Sequence, residues 1–106
     1  MDIAEVFKVQ KTFLKTETIF QTAVTTSKEL SDMFGCNVFL KREDQQRGIR
    51  NLIVGKTYKI RGAYSFFLKE EKNIREKGLV LVSDGNFATS MSILTGAFKC
   101  KNPYLF

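Results

Sequence analysis

The chain has 106 residues, which allows one small domain with a single hydrophobic core and excludes a second domain. Hydrophobic residues make up 43% and charged residues 26%, and these values exclude wholesale disorder. A net charge of +6 indicates affinity for phosphate, nucleic acid or acidic surfaces, although a solvated basic surface is the more common reason for such a charge, and the lack of histidine excludes histidine-based catalysis and His-metal sites.

The amino-terminal part of the chain predicts two helices. Asp2 can cap a first helix in which apolar residues recur at helical spacing and which ends near Thr16. Thr26 and Glu29 form a capping box for a short second helix, and Gly35 can terminate it. The expected apolar face of this second helix consists of Leu30, Met33 and Phe34.

A strand and a long helix are predicted next. Residues 38–40 are apolar and indicate a strand, whereas residues 45–55 have an irregular pattern with turn points at two glycines. A long helix is expected over residues 62–77, stopped by Gly78. Its expected buried side consists of Tyr64, Phe67, Leu68 and Ile74.

The carboxyl-terminal part alternates between strand and helix. Residues 79–82 form an apolar run that is typical of a strand covered on both faces. Residues 83–86 predict a turn, a third helix follows through Phe98, and residues 99–106 resemble the start of another strand. Strands that alternate with helices predict βα units and a parallel sheet, so we expect an α/β fold.

Lys59 is the candidate reactive residue, because it lies where the long helix is expected to begin. A lysine amine forms a Schiff base with an aldehyde, and pyridoxal phosphate is the commonest biological partner for that chemistry. The amine must first lose its proton, which a partly desolvated position or a positive neighbour such as Arg61 favours. On residue types alone, such a lysine is more often an ordinary surface charge.

The turn at residues 83–86 is the second candidate feature. It precedes a helix, so free backbone amides and the helix N-terminus would favour an anion there. On its own, a Ser-x-Gly-Asn sequence more often indicates an ordinary helix cap.

Three motifs together resemble the threonine dehydratase family, in the fold-type II group of pyridoxal phosphate enzymes. They are Lys-Arg-Glu-Asp at 41–44, Tyr-Lys-Ile-Arg-Gly-Ala-Tyr at 58–64, and the residues Ser83, Gly85 and Asn86. The resemblance covers about residues 15–98, a minority of the family's catalytic domain. It implies a tryptophan synthase beta-like fold, with residues 1–106 as a single amino-terminal segment and an incomplete parallel sheet flanked by helices.

The resemblance also implies a site and a reaction. Pyridoxal phosphate would be the cofactor, Lys59 would hold it covalently and act as the proton-transfer base, and Tyr58 would lie beside its ring. Asn86 would contact the phenolic oxygen of the cofactor and, with Ser83 and Gly85, the substrate carboxylate. No metal is implied. The reaction removes water from threonine or serine and yields a 2-oxo acid and ammonia, with a leaning towards isoleucine biosynthesis.

One substitution opposes this chemistry, and some of the family's parts have no counterpart here. Asp84 replaces a small residue, and its charge would repel an anionic substrate by an energy on the order of 1 kcal/mol. The family's glycine-rich loop for the cofactor phosphate and its partner for the pyridine nitrogen are not found in these 106 residues. We therefore expect the isolated chain to be inactive and marginally stable.

Two alternative functions stay open. The chain could be a non-catalytic remnant of the fold, or a small basic nucleic-acid-binding module, which only its charge supports. The expected partners are a small-molecule amino-acid substrate and, for the full-length family, further copies of the same protein. A membrane partner is not expected.

The cysteines and the amino terminus indicate a reducing, cytoplasmic location. Cys36 and Cys100 lie outside any C-x-x-C motif, so no zinc or thioredoxin pattern is present. The first residues lack the features of a secretory signal, and no apolar segment is long enough to cross a bilayer. We expect both cysteines to be free, packed thiols.

Overall fold

A computed structural model describes residues 2–16, 18–46, 57–101 and 103–105. The helices in these ranges are α1 (Ile3–Leu14), α2 (Lys28–Phe34), α3 (Lys59–Lys77) and α4 (Asn86–Ala97), and the strands are β1 (Val24–Thr26), β2 (Phe39–Lys41), β3 (Val80–Leu81) and β4 (Tyr104–Leu105). A 3-10 turn, Glu43–Gln45, follows β2. The predicted irregular segment at 45–55 lies mostly outside the described residues.

Local capping determines where α1 and α2 begin and end. The Asp2 carboxylate accepts a hydrogen bond from the Ala4 amide at 3.3 Å, which confirms Asp2 as the cap of α1. The predicted capping box at Thr26 is wrong by one residue. Ser27 is the cap of α2 because Thr26 is already paired in β1, and the left-handed Gly35 (φ 65°) ends the helix as predicted.

Helix α3 begins three residues earlier than predicted, at Lys59. The Thr57 hydroxyl accepts from the Lys59 amide at 3.2 Å, and the Arg61 amide donates to the Tyr58 carbonyl at 3.1 Å, so the first turn closes ahead of Gly62. Gly78, at φ 84°, ends the helix as predicted.

The strands form two separate pairs. β3 and β4 are parallel, with Val80 opposite Tyr104, as the alternation of strands and helices predicted. β1 and β2 are antiparallel, with Thr25 opposite Leu40, so a purely parallel sheet is wrong for the amino-terminal half. The Val-Thr-Thr sequence of β1 lacks an apolar run and did not predict a strand, yet β1 forms the backbone hydrogen bonds at the edge of β2.

The hydrophobic core lies between α3, β3 and α4. Phe67 is fully buried, and its ring centroid is 4.8 Å from that of Phe98. Phe13 brings the end of α1 to the same cluster, 6.2 Å from the Tyr64 ring. The buried cluster consists of Ile19, Ile60, Ala63, Tyr64, Phe67, Ile74, Leu81, Met91 and Leu94.

Several apolar residues predicted to be buried are exposed. Val80 and Val82 are 64% and 86% exposed, so strand β3 is covered on one face only, the face of Leu81. Leu68 on α3 is also exposed. On α2, Met33 is 74% exposed, and no residue of that helix is buried.

Both cysteines are free, but only one of them is packed. Cys36 is exposed and Cys100 is half-buried, so packing is wrong for the first thiol. Among the helices of the described residues, none combines the length and the apolar character needed to cross a bilayer.

Candidate active site

The start of α3 presents the candidate lysine to solvent. Lys59 is the first residue of the helix and its side chain is exposed. Its Nζ lies 5.2 Å from the centroid of the Tyr58 ring, which is itself largely exposed. The buried Thr57 accepts a hydrogen bond from the Lys59 amide, so the backbone is anchored while the amine remains accessible.

The structure gives Lys59 neither of the two features expected to favour loss of its proton. The side chain is exposed rather than desolvated, and the Arg61 guanidinium is paired with the Glu43 carboxylate at 2.8 Å. The Glu43 carboxylate offsets the positive charge that Arg61 could present to Lys59. The arrangement therefore leaves the Lys59 amine accessible to solvent.

The turn before α4 leaves backbone amides open. Gly85 is the N-cap of α4 and Asn86 is its exposed first residue. The amides of Asn86 and Phe87 donate to no acceptor within the part of the chain that the structure describes. A Cβ added to Gly85 would meet no atom within 4 Å, so the space beside these amides is free. The turn can accept an anion from solvent.

Ser83 has a local structural role in the same turn. Its hydroxyl accepts from the Ala88 amide at 3.3 Å and from the Gly85 amide at 3.4 Å. This is the helix-cap role that the sequence also allowed. Asp84, between Ser83 and Gly85, is exposed.

The two candidate segments lie at the starts of neighbouring helices. α3 packs against α4, and the chain reverses direction before β3 and again after it, so both helices run the same way. Contacts near the end of α4 fit this direction, because the Phe98 carbonyl accepts from Arg75 near the end of α3 at 2.9 Å. Within the described residues, no hydrogen bond or ion pair joins Lys59 to the turn.

A polar network beside Lys59 was not foreseen from the sequence. The Glu43 carboxylate accepts from Arg61 Nε at 2.9 Å and Nη2 at 2.8 Å, from the Thr22 hydroxyl at 2.6 Å and from the Gln46 amide at 3.1 Å. The hydrogen bonds from Arg61, above all, lower the pKa of Glu43 to about 2, against the opposing effect of burial.

Gln46 ties this network to the backbone of the segment before β1. It is 1% exposed, its Oε1 accepts from the Phe20 amide at 3.1 Å, and its Nε2 donates to the Phe20 carbonyl at 2.8 Å. Glu43 and Arg61 both stand in motifs noted in the sequence, but nothing local signals that they pair. Thr22 and Gln46 carry no sequence signal at all.

The chain is similar in sequence to parts of larger known proteins. No family model matches the chain. It is 35% identical over 81 residues to "Threonine dehydratase 1 biosynthetic, chloroplastic" of Solanum lycopersicum, and 33% identical over 86 residues to an L-threonine dehydratase, biosynthetic, of Bacillus subtilis. These matches cover 76% and 81% of the chain but 12% and 18% of the relatives.

A solved structure supports the same relationship. The processed form of threonine deaminase isoform 2 from Solanum lycopersicum matches with a TM-score of 0.69 at 25% sequence identity. The match covers 99% of this chain and 28% of that one, so the chain spans a minor part of the proteins that it resembles.

Proposed function

We propose that this chain, which is a segment of the threonine dehydratase family, supplies the reactive lysine of a pyridoxal phosphate-dependent threonine or serine ammonia-lyase. The observation that carries the proposal is the position of Lys59: an accessible amine on the first residue of α3, with its backbone anchored by Thr57. The reaction would convert threonine to a 2-oxo acid and ammonia; the relatives are named threonine dehydratases.

The residues present fit pyridoxal phosphate in kind. Lys59 offers an amine for covalent attachment, Tyr58 an exposed ring, and Asn86 an exposed side chain at the start of α4. The free space beside Gly85 allows a group to approach that helix. When bound, pyridoxal phosphate supplies an electron sink that lets a proton leave the substrate α-carbon. Lys59 Nζ would accept and return that proton.

The turn before α4 would bind the carboxylate of the amino acid. The free amides of Asn86 and Phe87 point out of a helix N-terminus, which favours a negative charge. Ser83 and Gly85 would shape the turn, and Asn86 would add a side-chain contact to the cofactor. The exposed Asp84 carboxylate opposes this binding.

The test is site-selective attachment. The 106-residue chain is incubated with pyridoxal phosphate, reduced with borohydride and mapped by peptide mass. We expect the label chiefly at Lys59, and its loss from that peptide in Lys59→Arg, with Lys11 on the exposed face of α1 as the comparison lysine. A label spread evenly over the surface lysines would contradict the proposal.

A second candidate is a non-catalytic remnant of the same fold. The observation that favours it is the environment of Lys59, which is exposed and whose neighbour Arg61 is neutralised by Glu43. Label at Lys59 without release of a 2-oxo acid from threonine would support this candidate. The nucleic-acid module has only the net charge of +6 in its favour.

Assembly and location belong to the same proposal. We propose a homo-oligomer for the full-length protein and a cytoplasmic location for this one. The name of the first tomato relative places that protein in the chloroplast.

A further inference from the structure

We infer that Glu43 is a positioning residue for Lys59, and that it acts by holding the first turn of α3 through Arg61. The inference concerns a residue for which the family resemblance suggested no role. The claim that Glu43 affects reaction at Lys59 rests on the proposed function. The claim that Glu43 orders the first turn of α3 does not.

The contact between Glu43 and Arg61 fixes an orientation as well as a distance. Arg61 Nε lies 2.9 Å from one carboxylate oxygen and Nη2 2.8 Å from the other. Such a two-point, charge-assisted pair constrains the plane of the guanidinium, which a single contact would leave free to rotate. The Glu43 side chain is 16% exposed, so solvent screens the pair only in part.

Glu43 is itself held on its other side. The Thr22 hydroxyl and the Gln46 amide donate to its two oxygens, and Gln46 forms two hydrogen bonds with the backbone of Phe20. Arg61 therefore binds to an anchor built from two further chain segments rather than to a mobile side chain. A substitution at Glu43 removes the one group that all these donors share.

Among the described residues, the first turn of α3 has few other attachments. Tyr58 occupies the N-cap position without a side-chain cap, and helix ends open more easily than helix centres. In the part of the chain that the structure describes, the attachments are the Thr57 hydroxyl, the buried Ile60, the Arg61 fork and a longer contact of 3.4 Å from Arg61 Nη2 to the Phe20 carbonyl. Residues two apart on a helix do not face each other, so Arg61 can hold the turn while the Lys59 amine stays exposed.

The experiment compares two ion pairs whose arginines both lie on α3. Glu71 accepts from Arg75 Nε at 2.9 Å and Nη2 at 2.8 Å near the other end of α3, so Glu71→Gln is a matched control for Glu43→Gln. Hydrogen exchange of the full chain is measured at the amides of residues 60–63 and 72–76. We expect Glu43→Gln to speed exchange at the first segment by about tenfold, the change expected on loss of a charge-assisted hydrogen bond, and Glu71→Gln to leave it unchanged.

A chemical readout accompanies the exchange measurement. The fraction of reduced pyridoxal phosphate label found at Lys59 should fall several-fold in Glu43→Gln, and in Arg61→Lys, which keeps the charge but loses the fork. Glu43→Asp, which retains the carboxylate, should recover part of it. Ile74→Val destabilises the core far from Lys59 and should leave the fraction unchanged at temperatures well below unfolding.

Three results would overturn the inference. These are unchanged exchange at residues 60–63 in Glu43→Gln, an equal rise at both ends of α3, and a Lys59 label fraction that stays constant although exchange has risen. If the proposed function itself is wrong, the result is different: the label in the wild-type chain would show no preference for Lys59. Exchange at residues 60–63 alone would in that case decide the role of Glu43.

Discussion

Two regions of this molecule contain apolar residues in similar proportion but use them differently. In the core region, formed by α3, β3 and α4, Phe67 is 0% exposed. In the hairpin region, formed by β1, α2 and β2, Phe39 is 65% exposed and no residue of α2 is buried. The comparison shows that an apolar side chain stabilises this fold only where a second element packs on it, as α4 does on α3.

Polar contacts join the residues next to the hairpin region to α3. Directly after β2, Glu43 accepts from Thr22, just before β1, and from Arg61 of α3. Charge-assisted hydrogen bonds respond to pH and to charge-removing substitutions, whereas apolar packing does not. The two regions should therefore differ in what destabilises them.

The largest expected effect is loss of the aromatic contact in the core region. Phe67→Ala should lower the free energy of unfolding by about 3–5 kcal/mol, because it empties a fully buried site beside Phe98. The same change at the exposed Phe39 should cost no more than about 0.5 kcal/mol. Urea unfolding of both variants measures the difference, and equal losses would mean that Phe39 is covered in solution.

An intermediate effect is expected at the junction between the regions, as a loss of stability in acid. The folded-state pKa of Glu43, about 2, lies below its ordinary value of 4.5, so the folded protein holds this proton less tightly than the unfolded chain. The resulting stabilisation is fully present above pH 4.5 and is lost as the pH falls towards 2. Its size is at most about 3 kcal/mol.

Glu43→Gln should remove this dependence. Urea unfolding of wild type and Glu43→Gln is measured between pH 6 and pH 2. The two free energies of unfolding should differ most at pH 6, by roughly the contribution of the Glu43–Arg61 pair, and should converge at pH 2. Glu71→Gln, at an exposed ion pair, should run nearly parallel to wild type. A constant difference between wild type and Glu43→Gln across the range would refute the role of the Glu43 charge.

The smallest expected effect has opposite signs for stability and binding. Asp84→Asn removes a carboxylate next to the N-terminus of α4, which should cost about 0.3–1 kcal/mol of stability. The same change should strengthen binding of the threonine carboxylate at the Asn86 and Phe87 amides. The measurement is the change in the NMR chemical shifts of these two amides during titration with threonine. Unchanged shifts in both proteins would show that the turn is only a helix cap.

The sequence alone determined the features that depend on a few neighbouring residues. Asp2 caps α1, Gly35 and Gly78 end α2 and α3, and the parallel β3–β4 pair follows from the alternation of strand and helix. These are local matters of capping, left-handed backbone and chain direction. The family resemblance likewise rested on short motifs, one of which contains Lys59, the first residue of α3.

Only the tertiary structure decided which of the predicted apolar faces are covered and which charged side chains pair. Met33 and Ile74 belong to similar helical patterns, yet only Ile74 meets a facing element, and the pattern carries no information about what faces it. Glu43 and Arg61 are 18 positions apart, and their pairing depends on how the chain returns between them. The neutralised Arg61 and the exposed Lys59 follow from that pairing and packing, because charge and solvation are set by neighbours in space.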